Sequence, residues 1–277
     1  MKDCKITFIG GGNMARSLIG GLITDGFNPQ HIHVADPEPL CLQALSDAYS
    51  IHTHSCNIEA TKNSDVLILA VKPQQLQAVV RQLAPHWNIN ALLVSIAAGI
   101  LLDDIARWLD QPQAAIVRAM PNTPSLVQAG ATALCANRHV STHQHELAES
   151  ILRSVGLALW IDDESKMDAV TALSGSGPAY FFLIMEAMEF AAKEMGLDPE
   201  TARLLCIQTA FGASKMALES NETTSTLRQR VTSPGGTTER AIHELEDGGL
   251  RGLFENALVA AALRSRELAN QLGEDDA

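Results

Sequence analysis

Lys5-Ile6-Thr7-Phe8-Ile9-Gly10-Gly11-Gly12-Asn13-Met14-Ala15 decides how the first half of this chain is read. A short apolar run ends in Gly10-x-Gly12-x-x-Ala15, and Ser17-Leu18-Ile19-Gly20-Gly21-Leu22 continues with helical spacing. Strand, glycine turn and helix in that order form the context of a dinucleotide-binding fingerprint. Gly10 makes the turn, Gly12 lets the backbone approach a pyrophosphate, and Ala15 lets helix pack on strand. The start of the helix offers unpaired N–H groups and partial positive charge to the anion. A glycine turn between strand and helix also occurs without a ligand, so the rest of the chain must carry the assignment.

Downstream, apolar runs and helical periodicities alternate. Strands are predicted over 31–35, 51–54, 65–71, 92–96, 115–118, 131–135 and 157–161, with helices over 39–49, 57–63, 74–83, 102–109 and 144–155. The run Val66-Leu67-Ile68-Leu69 has no polar alternation, as in a parallel strand buried on both faces. The alternation predicts an α/β Rossmann-type doubly wound sheet. Ligands of such sheets lie beyond the carboxyl ends of the strands. Gly10 to Met14, Asp36, Val71-Lys72-Pro73 and Ser95, Ala97 and Ala98 are therefore expected to line one crevice. Asp36 stands at the distance from the glycines where a ribose-hydroxyl acceptor belongs. No Arg or Lys occurs between His31 and Thr61. A carboxylate without a basic neighbour disfavours a 2′-phosphate, which leans the reading towards NADH over NADPH.

Bulk properties narrow the function further. With 277 residues, 46% apolar residues and a net charge of −12, the chain lacks the basic footprint that nucleic-acid binding requires. Five scattered cysteines without CxxC spacing read as reduced thiols, with neither a zinc site nor a disulfide framework. His31, His33, His52 and His54 alternate as on strand faces, and no metal is expected there. The chain enters a strand at once, which leaves no room for a signal peptide. The longest uncharged run, 169–185, is broken by Ser174-Gly175-Ser176-Gly177-Pro178 and cannot span a membrane. A cytoplasmic protein is expected.

Composition changes at Asp162-Asp163-Glu164, so residues 1–162 are read as the dinucleotide-binding domain and 163–277 as an all-α domain for dimerisation and substrate binding. A helix over 179–195 is apolar nearly all round (Tyr180, Phe181, Phe182, Leu183, Ile184, Met185) and must be covered on several sides. The same helix of a second copy would cover it, which predicts a homodimer. Further helices are expected over 200–219 and 227–231. Ser233-Pro234-Gly235-Gly236-Thr237-Thr238 then combines a proline turn, two glycines and two threonines where a helix would be N-capped. That pattern offers N–H groups and hydroxyls to a small anion such as a carboxylate. The acidic tail from Glu274 onward is expected to lack order.

These residues together resemble the pyrroline-5-carboxylate reductase family. The resemblance rests on the first glycine loop, Ala70-Val71-Lys72-Pro73, Ser95-Ile96-Ala97-Ala98-Gly99 and Met120-Pro121-Asn122-Thr123-Pro124. It continues through Asp168-Ala169-Val170-Thr171, Leu173-Ser174-Gly175-Ser176-Gly177-Pro178-Ala179-Tyr180 and Ser233 to Thr238, in the family's order. It implies reduction of 1-pyrroline-5-carboxylate, a cyclic imine, to L-proline by NADH or NADPH, in dimers that can build larger rings. By position, Gly10, Gly11, Gly12, Asn13, Met14, Asn57, Val71, Lys72, Ser95, Ala97 and Ala98 would hold the cofactor. Ser233, Gly235, Gly236, Thr237 and Thr238 would hold the substrate, with Thr238 beside the ring nitrogen, and Glu164 matches a position that contributes to the proline site. Asp36-Pro37-Glu38 departs from the basic or hydroxyl-bearing residues that members favouring NADPH often carry there.

Two other functions fit parts of the pattern. A β-hydroxyacid dehydrogenase shares the plan but needs a general base, usually a lysine in the first long helix of its second domain. Here that helix has no lysine before Lys193. A non-catalytic NAD-binding sensor would have no need of a second anion-binding loop.

Overall fold

The computed structural model describes residues 4–273. Its eight strands form one sheet in the order β3-β2-β1-β4-β5-β6-β7-β8. They are β1 (Ile6–Ile9), β2 (Ile32–Ala35), β3 (His52–His54), β4 (Val66–Leu69), β5 (Leu92–Ser95), β6 (Ala115–Met120), β7 (Gly130–Ala136) and β8 (Gly156–Trp160). The order reverses at β1, where β2 lies on one side and β4 on the other, both parallel to it. That reversal makes the crevice at the end of β1 a ligand position.

Alternate strand residues feed two cores. Ile6 and Phe8 pack with Ile68, Val94 and Val117 beneath α1 (Asn13–Thr24) and α6 (Thr142–Arg153). Ile9 packs with Leu67, Leu69, Leu93 and Ile116 beneath α4 (Pro73–Leu83) and α5 (Leu102–Leu109). Two buried faces explain why the central strands show no polar alternation. The remaining helices of this region are α2 (Pro39–Tyr49), α3 (Asn57–Thr61) and α7 (Met167–Val170).

Three local differences from the sequence reading have physical reasons. His31 belongs to a 3₁₀ turn (Pro29–His31) rather than to β2, because Asn28 caps that turn by accepting the N–H of Gln30 at 3.0 Å. β7 runs antiparallel to β6. Between Met120 and Gly130 the chain has room only for a 3₁₀ turn (Thr123–Val127), too little for the crossover that parallel strands require. Residues Thr171–Gly175, within the serine–glycine motif, form a π-helical turn, with the Ser176 N–H donating to the Thr171 carbonyl at 2.8 Å.

Packing divides the chain into two units. One comprises residues 4–176 with 260–273, and the other residues 177–259. The position 162/163, where composition changes, falls inside the first unit. The second unit contains α8 (Gly177–Glu194), α9 (Pro199–Glu219), α10 (Thr224–Arg230), α11 (Thr237–Asp247) and the start of α12 (Leu250–Gly273). Asp198 caps α9 by accepting the Thr201 N–H at 3.0 Å, with Pro199 at the first helical position. The acidic tail from Glu274 lies outside the described residues.

Candidate active site

The glycine loop at the end of β1 has a different demand at each position. Gly10 adopts φ +98°, and a Cβ there would stand 2.7 Å from the Ala70 carbonyl oxygen of the neighbouring strand end. Only glycine fits. A Cβ on Gly11 would meet Cys41 Sγ and Leu45 Cδ1, each at 2.8 Å. A Cβ on Gly12 would meet no protein atom within 4 Å. The glycine at 12 is therefore not required by packing inside the protein, and its open side suits close approach of a ligand. Gly12 also N-caps α1 without a side-chain bond. The N–H groups of Asn13 and Met14, in the first turn, accordingly have no intrahelical acceptor.

A cleft of about 700 Å³ opens beside this loop. Gly10, Gly12, Asp36, Asn57, Val71 and Lys72 all line it, from four separate segments of chain. Asp36 is half-buried. Its Oδ2 accepts the Gly11 N–H at 2.8 Å and its Oδ1 accepts the Glu38 N–H at 2.9 Å. Asn57 donates through Nδ2 to Gln82 Oε1 at 3.0 Å. Lys72 N-caps α4 and is exposed.

Ser95, Ala97 and Ala98 do not line this cleft, contrary to the expectation of one crevice. Ser95 and Ala97 are buried. The Ser95 hydroxyl accepts the Ala97 N–H at 3.4 Å, and Ala97 packs in the second core. β5 lies two positions from β1 in the sheet, so its end stands farther along the edge than β1, β2 and β4.

Glu164 is engaged inside the first unit. Its Oε1 accepts from Arg118 Nη1 at 2.9 Å and from the Leu102 N–H, at the start of α5, at 3.0 Å. The Arg118 side chain is only 3% exposed, and that of Glu164 23%. Asn122 is a second polar organiser. Its Nδ2 donates to the Ser174 carbonyl at 3.0 Å, and its Oδ1 accepts the Ala131 N–H at 2.9 Å. Sequence reasoning missed both partnerships; a lone arginine within the apolar strand Ala115-Ile116-Val117-Arg118-Ala119-Met120 was the available signal.

In the second unit, Gly235 turns the loop with φ +72° and α11 begins after Gly236. The threonines differ from their expected role. Gly236 is the N-cap, without a side-chain bond, and Thr237 and Thr238 are the first two helical residues. Their hydroxyls are not spent on capping, and both residues are exposed. Two N–H groups of the loop are already taken. Gly236 N–H donates to the Ser233 carbonyl at 3.0 Å, and Gly235 N–H to Glu239 Oε2 at 2.8 Å. The N–H groups of Thr237 and Thr238 have no intrahelical acceptor.

Comparison with known proteins gives this geometry a family. Residues 164–268 match the family model "Pyrroline-5-carboxylate reductase dimerisation", and residues 5–99 match "NADP oxidoreductase coenzyme F420-dependent". A pyrroline-5-carboxylate reductase of Pseudomonas aeruginosa is 50% identical over 274 residues, covering 99% of this chain and all of that one. The solved structure of a pyrroline-5-carboxylate reductase from Coxiella burnetii superposes with a TM-score of 0.92 at 49% identity, covering 96% of this chain and 98% of that one. The Plasmodium falciparum pyrroline carboxylate reductase, solved with NADP bound, has a TM-score of 0.86 at 28% identity, with 97% and 99% covered. The chain belongs to the pyrroline-5-carboxylate reductase family of NAD(P)-dependent oxidoreductases.

Proposed function

We propose that this protein reduces 1-pyrroline-5-carboxylate to L-proline with NADH or NADPH, the last step of proline biosynthesis. The observation that carries the substrate side is the loop from Ser233 to Thr238, which leaves two helix-start N–H groups and two threonine hydroxyls exposed together. A carboxylate is the ligand such donors suit. On the cofactor side, Gly10, Gly11, Gly12, Asn13 and Met14 form an anion-binding turn. Asp36 would accept from the adenosine ribose, with Asn57, Val71 and Lys72 completing the wall. The open side of Gly12 and the unpaired N–H groups of α1 fit a pyrophosphate. Ser95, Ala97 and Ala98, which lie off this cleft, would meet the cofactor beyond it, from the end of β5. The bound nicotinamide supplies the hydride.

The residues need supply little acid–base chemistry. A cyclic imine is basic enough to be protonated near neutral pH, so catalysis is mostly orientation. In this reading Ser233, Gly235, Gly236 and Thr237 shape and fill the carboxylate site, and the Thr238 hydroxyl hydrogen-bonds the ring nitrogen. Glu164 contributes to the proline site in the same reading, and its carboxylate holds Arg118 and the start of α5.

The working protein is a homodimer in this reading, with the domain over 163–277 supplying the contact and the domain over 1–162 the cofactor. No described helix is long and apolar enough to cross a membrane, and the proposed compartment is the cytoplasm. Oxidation of NADH and NADPH is followed at 1-pyrroline-5-carboxylate and at β-keto acids. Turnover with the imine alone is expected, and failure to oxidise either cofactor with it rejects the reading. Thr238→Ala is expected to lower kcat about 10- to 100-fold, less than loss of an oxyanion-hole donor. Unchanged turnover removes Thr238 from its role.

A further inference from the structure

The turn between β2 and α2 is built from two carboxylates and no cation. Asp36 is tied at both oxygens, to the N–H groups of Gly11 and Glu38, and its own N–H donates to the His54 carbonyl at 3.2 Å. A carboxylate held this way does not rotate aside. It has no room to retreat either, because α2 closes the back of the loop. Cys41 Sγ donates to the Gly11 carbonyl at 3.1 Å, and Cys41 and Leu45 fill the space that a Gly11 side chain would need.

Glu38 adds the second charge. It N-caps α2, and its Oε1 accepts the Leu40 N–H at 3.3 Å. A helix start at this turn is where a phosphate could dock on backbone N–H groups. Here a carboxylate of the chain already occupies it. The Cys41 thiol lies within reach of both charges: burial first, then Asp36, raises its pKa, and Glu38 adds to that. Arg16 acts on the same thiol in the opposite sense. Arg16 also lines a second cavity, of about 480 Å³, with Gly20, Tyr49 and Ser125.

We propose that Asp36 and Glu38 together make this cleft select the dinucleotide without a 2′-phosphate. Asp36 has lone pairs left for the two adenosine-ribose hydroxyls. A 2′-phosphate brings about −1.5 to −2 charges next to two fixed carboxylates; residues 31–61 supply no Lys or Arg to neutralise it, and the lysine of this cleft, Lys72, belongs to the segment after β4. The inference rests on the cleft holding a dinucleotide, as proposed above, and does not depend on which substrate is reduced.

The test uses ADP-ribose and 2′-phospho-ADP-ribose, neither of which carries a nicotinamide, titrated calorimetrically into the full-length protein. ADP-ribose is expected to bind about 30-fold tighter in moderate salt, and the gap should narrow as salt rises from about 0.05 to 1 M. In an Asp36→Asn/Glu38→Gln variant, which keeps acceptors for the Gly11 and Leu40 N–H groups, the gap should shrink to a few-fold. Equal or tighter binding of the phosphorylated ligand by the unaltered protein overturns the proposal. A gap that ignores both salt and the neutral variant overturns its electrostatic basis. Binding of neither ligand overturns the dinucleotide cleft itself, and the proposal with it. Failure to reduce the imine, with ADP-ribose still bound, overturns only the substrate reading.

Discussion

Arg118 and Glu164 show how much a single strand residue can demand. A guanidinium buried in β6 is tolerable because Glu164 neutralises it while also capping α5. Glu164→Ala removes the neutralising charge and leaves the cation buried, the costly half of any buried pair. With Glu164 partly exposed, a loss of about 2–3 kcal/mol in urea unfolding is expected. Glu164→Gln, which keeps an acceptor for Leu102, should lose less. Equal stability of Glu164→Ala and the parent would show that Arg118 finds solvent instead. Gly10 is the other residue with no substitute. Gly10→Ala forces a Cβ to within 2.7 Å of the Ala70 oxygen at φ +98°, so the loop must move. ADP-ribose affinity is expected to fall at least about tenfold. An unaltered dissociation constant would contradict that geometry.

At the scale of elements, the edge pair β2–β3 carries a cluster of imidazoles. His33 Nδ1 and His54 Nε2 share one hydrogen bond at 2.9 Å, and His33 stacks on His52 with ring centroids 4.7 Å apart. That bond needs one donor and one acceptor, so both rings cannot be charged and keep it. Burial first, then the charges of Lys5, His52, His54 and His31, push the His33 pKa down to about 4. His54 is lowered by burial, then by Lys5 and His52, with Glu59 opposing. In the unfolded chain His33 titrates near 6.5. Between these values the unfolded state binds a proton that the folded state refuses, so stability falls as pH drops from about 6.5 to 4. Melting temperatures of the parent and of His33→Phe across pH 7 to 4 should diverge, the variant losing less. Parallel curves would remove the cluster from the acid response.

Elements also mark what the sequence could and could not reveal. β1, β4 and β5 were legible because burial on both faces leaves an unbroken apolar run, and the cap at Asp198 stands in the sequence as a residue type followed by Pro199. The direction of β7 was not legible, since it follows from the length of a connection and not from composition. The π turn at Thr171–Gly175 was hidden in a glycine-rich motif that reads equally well as a loop. A Cβ at Gly175 would meet Met120 Cε at 2.5 Å, a fact available only once β6 and the turn are placed. In the same way Glu38 reads as an ordinary turn residue until its carboxylate is seen on the start of α2.

For the whole molecule, the expected assembly follows from α8. Phe181, Phe182 and Phe190 are each about 60% exposed in the single chain, and apolar side chains clustered and exposed on one helix mark a surface that meets a partner. Sedimentation should give at least a dimer. Phe181→Glu with Phe182→Glu should shift the protein towards monomer or aggregate, because like charges would be buried against each other. A parent that sediments as a monomer at micromolar concentration contradicts the assembly.

The last helix has a consequence in time. Residues 260–273 belong with 4–176, although residues 177–259 are made between them. Ser265 donates to Asp168 Oδ1 at 2.8 Å, and Arg107 Nη2 donates to the Gly273 carbonyl at 2.6 Å. A ribosome that has delivered the glycine loop, all eight strands and the cleft has still not delivered the piece that covers Gly99 and α5. The strands made first must therefore wait, incompletely closed, for a helix made after them.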